Sequence, residues 1–303
     1  MRFETLEPHD YDILKPFFVA QPYELCVFSP ALVFAWRNEE GFSVSFAIEE
    51  DTLFMAAHNP DRPDDNYLAL PLPIDRFEPD DLVELARKLD MAHFSFVPGA
   101  YLEQHGFGRL ESLFQVTEQN KFRDYIYRTR DLVALVGNRY AKKRNLIHQF
   151  ERDFLSTGRA RVEPIVTQVL PECLDFITRW YSEKNSTGFT SDDEHAACYT
   201  IDDFDRLELT GILVRVDSRI CGLGTCARLS DDMGVLNLEM AFARYKGLYQ
   251  FLDRECARQL FQGRFEYINK ESDMGLPGLR QSKRSYHPIR RASCYRLTVK
   301  NPV

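Results

Sequence analysis

Carboxylates at the end of a predicted strand lie close to a basic helical turn between residues 268 and 288. The strand end brings Asn269, Glu271 and Asp273 to a Gly-rich turn. The basic side chains that follow at three- and four-residue spacing are Arg280, Lys283 and Arg284. This spacing places them on one helix face, and strongly coupled opposite charges are typical of an active site. A structural network of salt bridges would give the same pattern.

A second candidate is a lysine on the apolar face of the helix predicted over residues 138–155. The apolar stripe of this helix consists of Tyr140, Ile147, Phe150 and Phe154. Lys143 projects into the stripe, and an ammonium there costs free energy unless it is paired or reaches water. Lys143 therefore either meets a buried carboxylate or reaches solvent, or it lines a polar cavity that holds a ligand. Lys142 and Arg144 flank it and could bind phosphate oxygens, whereas Asn145 lies on the opposite side.

A third candidate is the loop over residues 244–249, which follows a predicted strand and opens a helix. Free N–H groups at a helix N-terminus bind anions, and Gly247 would let the backbone approach a pyrophosphate closely. Arg244 precedes this glycine and adds a positive charge, while the bulky Tyr249 follows the glycine two residues later. The alternative is an ordinary turn into an amphipathic helix.

Charge is distributed unevenly along the 303 residues, whose net charge is −8. Residues 139–161 carry seven Lys or Arg against two acids, and residues 280–303 carry seven with no acid. The acidic total argues against general nucleic-acid binding, and two basic segments in an acidic chain indicate a local polyanion site. Solvated helix faces and a basic tail are the alternative.

Composition predicts a cytoplasmic location. No apolar run reaches the about 18–20 residues that cross a bilayer, and the N-terminus has no signal-peptide pattern. The seven scattered cysteines suit reduced thiols better than disulfides. We expect no metal site, because Cys221 and Cys226 have no second pair of Cys or His nearby.

Strands and helices alternate in both halves of the chain. The first half opens with a hairpin over residues 41–49 and 52–57. The second half contains, after its first helices, three consecutive strands predicted at residues 211–216, 219–228 and 235–241. A helix over residues 247–261 and strands over 265–268 and 294–299 follow. This order predicts an α+β chain with mixed, mainly antiparallel sheets and flanking helices.

Two segments carry a resemblance to a known family. Residues 137–145 resemble its Gly-x-x-x-x-Lys-Lys-Arg-Asn signature, with Ala141 where relatives often carry His. Residues 269–288 resemble its Asn-x-Glu-x-Asp-x-Gly-x-x-Gly-Leu-Arg-x-x-Lys-x-Ser-Tyr-x-Pro signature. The chain is thus similar to the bacterial family of the phosphatidylglycerol lysyltransferase C-terminal domain, although the membrane portion of those enzymes is not in this sequence.

The resemblance implies two tandem GNAT-like domains, the fold of acyl-CoA N-acyltransferases that also occurs in Fem-type transferases. We expect residues 1–135 to form a degenerate scaffold domain and residues 136–303 to carry the active site. The implied activity is transfer of an aminoacyl group from aminoacyl-tRNA to an amine or hydroxyl of a small-molecule, peptide or lipid acceptor. The alternatives are an acyl-CoA-dependent N-acyltransferase and a non-catalytic module that binds tRNA or another anion. No tightly bound cofactor is expected, only aminoacyl-tRNA or acyl-CoA as a co-substrate.

Candidate site residues follow from this chemistry. The donor ester is already activated, so positioning and oxyanion stabilisation should dominate, with a carboxylate to accept the nucleophile's proton. The candidates for catalysis are Lys143, Glu239, Glu271, Arg280 and Lys283. The candidates for binding the carrier and its phosphates are Lys142, Arg144, Asn145, Arg244, Gly247, Asn269 and Tyr286.

Overall fold

The chain passes between two structural units more than once in the computed structural model, which describes residues 1–19, 21–39, 42–73, 76–184 and 190–300. The first unit comprises Met1–Asp124, Ser272–Gly275 and Arg291–Val303. The second comprises Tyr125–Glu271 and Leu276–Arg290. The division differs from a single cut after residue 135, because the last strand of the chain returns to the sheet of the first unit.

The first unit is built on a mixed sheet. Its strands are β1 (Glu4–Thr5), β2 (Asn38–Glu39), β3 (Phe42–Glu49), β4 (Thr52–His58), β5 (Tyr67–Leu68), β6 (His93–Pro98), β7 (Phe114–Glu118) and, from the end of the chain, β15 (Cys294–Val299). Their order is β1-β3-β4-β5-β6-β15-β7, with β2 beside β3. The predicted hairpin is confirmed as β3 and β4, although its first residue, Gly41, lies outside the described residues. Strand β15 pairs antiparallel with both β6 and β7.

Helices flank this sheet. They are α1 (Tyr11–Val19), α2 (Pro30–Ala35), α3 (Pro79–Lys88), α4 (Gly99–His105) and α5 (Phe107–Leu113). The start of α3 shows how sequence sets these boundaries, because Pro79 occupies its first turn and Glu78 and Asp81 form a capping box. The buried face of α3 carries Leu82, Val83, Leu85 and Ala86.

The second unit is built on a second mixed sheet. Its strands are β8 (Asp124–Arg128), β9 (Ala160–Pro164), β10 (Thr210–Val216), β11 (Arg219–Arg228), β12 (Met233–Ala241), β13 (Tyr267–Asn269) and β14 (Arg290–Ala292). The strand order is β14-β8-β13-β12-β11-β10-β9. The three consecutive predicted strands are confirmed as β10, β11 and β12. Strand β13 runs parallel to β12 and antiparallel to β8.

Helices of the second unit pack around this sheet. They are α6 (Thr129–Ala134), α7 (Ala141–Phe150), α8 (Leu170–Lys184), α9 (Ser191–Asp202), α10 (Leu248–Cys256) and α11 (Pro277–Arg284). The last turns of the two helices predicted over residues 138–155 and 247–261 are wider than an α-helix, at Glu151–Leu155 and Ala257–Phe261. The stripe predicted for α7 is buried at Tyr140, Ile147 and Phe150.

Candidate functional site

A buried cluster of three charged side chains lies in the second unit. The ammonium of Lys270 is 2.7 Å from Oε2 of Glu239 and 2.5 Å from Oδ2 of Asp253. The exposed fractions of these side chains are 7% for Lys270, 11% for Glu239 and 2% for Asp253. Two carboxylates thus share one ammonium where little water reaches them, so their charges interact strongly.

Burial sets the protonation of this cluster. Burial, followed by the charge of Asp253, raises the pKa of Glu239 from 4.5 to about 7, although Lys270 opposes the change. For Lys270, burial lowers the pKa, but the two carboxylates outweigh it and the pKa ends well above its usual value. Glu239 is therefore a carboxyl that exchanges its proton near neutral pH beside an ammonium that stays charged.

Sheet geometry brings these groups together. The parallel pairing of β12 with β13 ends at Val235 and Asn269, and Lys270 follows directly. Glu239 lies further along β12, which continues to Ala241 in pairing with β11. Asp253 comes from the buried face of α10. The cluster is therefore built where two parallel strands stop pairing and a helix covers the opening.

Lys143 lies next to this cluster. Its ammonium donates a hydrogen bond of 2.7 Å to Oγ of Ser285 and lies 3.8 Å from the ring centroid of Tyr286. The ammonium of Lys270 lies 5.0 Å from the centroid of the same ring. Burial lowers the pKa of Lys143, and the charge of Lys270 adds to this effect against the opposite influence of Asp253. The contacts of the Lys143 ammonium are thus a hydroxyl and an aromatic face, and no carboxylate of the described residues forms a salt bridge with it.

The basic turn of α11 is attached to the cluster through main-chain groups. The ammonium of Lys283 donates a hydrogen bond to the carbonyl oxygen of Lys270. The hydroxyl of Tyr127 donates to the carbonyl of Lys283 at 2.7 Å, and that of Tyr140 donates to the carbonyl of Tyr286 at 3.1 Å. The two stretches that carry the predicted lysines, α7 and α11, therefore meet in the second unit.

Two further predicted residues lie at the end of β13. Asn269 is fully buried, and its Oδ1 accepts a hydrogen bond of 2.6 Å from the backbone N–H of Glu271. The carbonyl of Glu271 accepts from the N–H of Tyr125 at 3.2 Å. Asn269 thus shapes the turn that presents Lys270 to Glu239.

Other predicted carrier-binding residues lie elsewhere on the unit. Lys142 and Asn145 are exposed on α7. Arg280, which was predicted as a catalytic residue, is half-buried on α11. The guanidinium of Arg144 donates to the carbonyls of Leu135 and Gly137, in the segment that precedes α7. Arg244 is 2.5 Å from Oε1 of Glu183 and 3.9 Å from the ring of Phe242.

Gly247 is needed for packing between two helices. Its φ of +83° is in the left-handed region, and a Cβ at this position would lie 2.0 Å from the carbonyl oxygen of Leu146 on α7. The hydroxyl of Tyr249, two residues later, donates a 2.5 Å hydrogen bond to the carbonyl of Glu239. The start of α10 is thus occupied by contacts with α7 and β12.

Sequence reasoning missed Lys270, Asp253 and Ser285. Asp253 could have been found from the sequence, because it is the charged residue on an otherwise apolar face of α10. The other buried residues of that face are Leu248, Phe251, Leu252 and Cys256. The argument that selected Lys143, a charge on an apolar stripe, applies equally to Asp253. Lys270 alternates with Asn269 and Glu271 at the strand end and so points to the other face of the strand.

Two other kinds of feature are absent from the described parts of the chain. Within the described ranges no group of three or more His, Cys, Asp or Glu side chains is placed to hold a metal ion. The helices described are all too short or too polar to cross a bilayer.

Comparison with known proteins identifies relatives of the chain. The family model described as "Phosphatidylglycerol lysyltransferase, C-terminal" matches residues 33–298. No curated protein sequence matches significantly.

Solved structures resemble the whole chain. A conserved protein of unknown function from Bacteroides thetaiotaomicron is 24% identical with a TM-score of 0.85, over 99% of this chain and 100% of that one. The C-terminal domain of a putative lysylphosphatidylglycerol synthetase from Agrobacterium fabrum is 16% identical with a TM-score of 0.62, over 90% and 87%. FemX is 9% identical with a TM-score of 0.58, over 97% of both chains. These likenesses confirm the predicted α+β fold of two tandem GNAT-like units.

Proposed function

Because this chain belongs to the family of the phosphatidylglycerol lysyltransferase C-terminal domain, we propose that its second unit transfers an aminoacyl group from aminoacyl-tRNA to an amine or hydroxyl acceptor. The observation that carries the proposal is the buried cluster of Glu239, Asp253 and Lys270 beside Lys143. Charged tRNA is made in the cytoplasm, so the proposal places the protein there.

Glu239 is the group that accepts the proton of the attacking amine or hydroxyl. A proton acceptor works best when its pKa is near the working pH, and burial raises the pKa of Glu239 to about 7. Its Oε2 forms a salt bridge with Lys270. Its Oε1 is buried, and none of the described residues donates a hydrogen bond to it.

Cationic side chains of α7 and α11 would bind the donor. Transfer from an ester develops negative charge on the carbonyl oxygen, and fixed positive groups stabilise it strongly in a site with little water. Lys143 is half-buried next to the cluster, and Lys283 and Arg280 lie on the helix that ends beside it. We assign Lys143 to the developing oxyanion and the other two to the phosphates of the tRNA end.

A transfer assay tests this assignment. Purified protein is mixed with tRNA charged with labelled amino acids and with cell extract as a source of acceptors, and label in acid-stable products is followed. E239Q should lower the rate on the order of 100-fold, since proton acceptance contributes about 10²–10⁴ to such reactions. D217N is the matched control, because it makes the same chemical change at an exposed carboxylate between β10 and β11.

The same assay separates the alternatives. If the protein does not speed the loss of label from tRNA for any amino acid, the proposal of transfer from aminoacyl-tRNA is wrong. Salt-sensitive tRNA binding without turnover would identify a binding module. Coenzyme A at about 100 times its dissociation constant would add about 2.7 kcal/mol to stability if acyl-CoA were the donor. The bulky side chain of Tyr249 at the start of α10, whose hydroxyl donates to the Glu239 carbonyl, weighs against coenzyme A as the donor.

A further inference from the structure

Ser285 caps the C-terminal end of α11, where its backbone and its hydroxyl are both tied to the last turn of the helix. Its N–H donates to the carbonyls of Gln281 and Ser282, at 3.1 Å each, and its Oγ donates to the carbonyl of Ser282 at 2.6 Å. Because the hydroxyl proton is used in this contact, the lone pairs of Oγ are left to accept. The 2.7 Å hydrogen bond with Lys143 therefore runs from the ammonium to the serine.

The end of α11 is fixed by hydrogen bonds from other parts of the second unit. The hydroxyl of Tyr127 on β8 donates to the carbonyl of Lys283, and that of Tyr140, just before α7, donates to the carbonyl of Tyr286. Both tyrosines are buried. The main chain on either side of Ser285 is thus held in place, so its Oγ is a fixed acceptor rather than a mobile surface hydroxyl.

The groups that contact the ammonium of Lys143 are neutral. It donates to Oγ of Ser285 and lies 3.8 Å from the ring centroid of Tyr286. A hydroxyl oxygen and an aromatic face both stabilise a cation without cancelling its charge. Lys270, by contrast, is neutralised by two carboxylates. The charge of Lys143 therefore remains available to a substrate on which negative charge develops.

The direction of the Lys143 ammonium matters as much as its charge. A lysine side chain has four rotatable bonds and populates many rotamers unless a fixed group restrains it. An ammonium has three N–H donors, and among the residues that the structure describes Ser285 is the one hydrogen-bond acceptor that Lys143 reaches. Ser285 thus restrains the side chain and leaves further N–H donors for a substrate oxygen.

We propose that Ser285 is a positioning residue that directs the charged ammonium of Lys143 at the carbonyl oxygen of the donor ester. The inference rests on the proposed function, in which Lys143 stabilises the developing oxyanion, and it adds the group that holds Lys143 ready before the reaction. Ser285 itself contacts no reacting atom and forms no bond to the substrate. Its contribution should therefore appear in the rate of the chemical step and not in the binding of the carrier.

Transfer kinetics test this role of Ser285. The full chain is assayed with increasing concentrations of tRNA charged with labelled amino acids and with a fixed amount of cell extract as the source of acceptors. S285A should lower the maximal rate about 10- to 100-fold, the effect of displacing a catalytic group slightly. The half-saturating concentration of charged tRNA should change by less than about twofold. S285T keeps a hydroxyl at the same place and should recover most of the rate.

A double variant shows whether Ser285 acts through Lys143. K143M removes the ammonium and should lower the maximal rate about 100- to 1000-fold, as the loss of one oxyanion donor does. Ser285 then has nothing to position, so K143M combined with S285A should be no slower than K143M alone.

S156A is the matched control for S285A. Ser156 is an exposed hydroxyl at a helix end and, like Ser285, donates to main-chain carbonyls of its own helix. Its removal should leave both the maximal rate and the half-saturating concentration unchanged.

The outcomes separate this inference from the proposed function. An unaltered rate for S285A, a loss confined to the half-saturating concentration, or an S285T variant as slow as S285A would overturn the positioning role and leave aminoacyl transfer standing. Losses that multiply in the double variant would also overturn it, because Ser285 would then act without Lys143. If the unaltered protein transfers no label, both proposals are wrong.

Discussion

Lys270 is the ammonium that two buried carboxylates share. Removing water from three charges costs several kcal/mol for each ion, and only the mutual attraction and the hydrogen bonds offset this cost. The surplus carboxylate is accommodated by a proton, which is why the pKa of Glu239 is raised to about 7. A buried cluster of this kind contributes little net stability, and its presence fits the proposed role of Glu239 as the proton acceptor.

Loss of Lys270 should be severe. K270M leaves Glu239 and Asp253 buried without a counter-charge, and we expect the free energy of unfolding to fall by about 3–5 kcal/mol. Urea denaturation measures this, with R206M as the control because Arg206 is an exposed cation of the same unit. The control should change stability by no more than about 0.5 kcal/mol. Equal effects of the two variants would show that the cluster is not buried as described.

The pH dependence of stability should report Glu239. Its folded-state pKa of about 7 exceeds the unfolded value of 4.5, so the folded state binds this proton more tightly. The stabilisation is complete below pH 4.5 and is lost as pH rises through about 7. Between pH 5 and 8 the protein should lose on the order of 2 kcal/mol more than E239Q does.

Urea denaturation of both proteins at the two pH values gives this difference. D217N is again the control. The hydrogen bond from Arg159 lowers the pKa of Asp217, so this carboxylate stays charged between pH 5 and 8. A pH dependence that E239Q leaves unchanged would contradict the raised pKa of Glu239.

The sequence predicts that Lys143 lies on the buried face of its helix, but it does not predict which residues Lys143 contacts. Ser285 and Tyr286 are more than a hundred residues away, and their approach depends on how α11 returns to the sheet. Lys270 was overlooked for the same reason, since a lysine at a strand end is ordinary until Glu239 and Asp253 converge on it. Local patterns show that a charge is buried, whereas only the tertiary fold shows what neutralises it.

At the scale of elements, α7 and α10 approach closely enough that only glycine fits at the contact. We expect G247A to lower the free energy of unfolding by at least about 3 kcal/mol, because overpacking of about 1–3 kcal/mol adds to left-handed strain. G263A is a matched control, since Gly263 has a similar φ of +79° but nothing within 4 Å of the added Cβ. That variant should lose only about 1–2 kcal/mol.

The difference between the two glycine variants, measured by urea unfolding, isolates the helix contact. Equal losses would mean that the close approach of the Leu146 carbonyl is not retained in solution. Transfer activity measured on the same samples shows whether the contact also positions Lys143, which projects from α7.

Most strands and helices follow from local signals. The hairpin of β3 and β4 and the consecutive strands β10 to β12 were predicted from the sequence and are present in the structure. Strand β13 was predicted over residues 265–268 and forms at Tyr267–Asn269, because its limits are set by pairing with β8 and β12. Boundaries that depend on partners distant in sequence are the part that local patterns cannot supply.

At the scale of the whole molecule, the final strand belongs to the first sheet. The sequence predicted a strand at residues 294–299 and its limits are confirmed, but a boundary after residue 135 assigned it to the second domain. Pairing partners are not encoded locally, and β15 pairs with β6 and β7, far earlier in the chain.

Truncation tests the importance of this strand. A chain that ends at Ala292 lacks β15, so β6 and β7 lose their common neighbour and the buried Cys294, Leu297 and Val299 are removed from the core. We expect the first unit to lose cooperative folding, detected as rapid trypsin cleavage within residues 1–124. Truncation after Lys300 keeps β15 and should leave cleavage unchanged. Similar digestion patterns for both truncations would contradict this role.

The return of β15 also has a consequence for biosynthesis. A ribosome makes the chain from its N-terminus, so β6 and β7 emerge long before the strand that separates them. The N-terminal sheet cannot be completed until Val299 has left the ribosome, and until then the nascent edges of β6 and β7 are exposed to chaperones or to wrong partners.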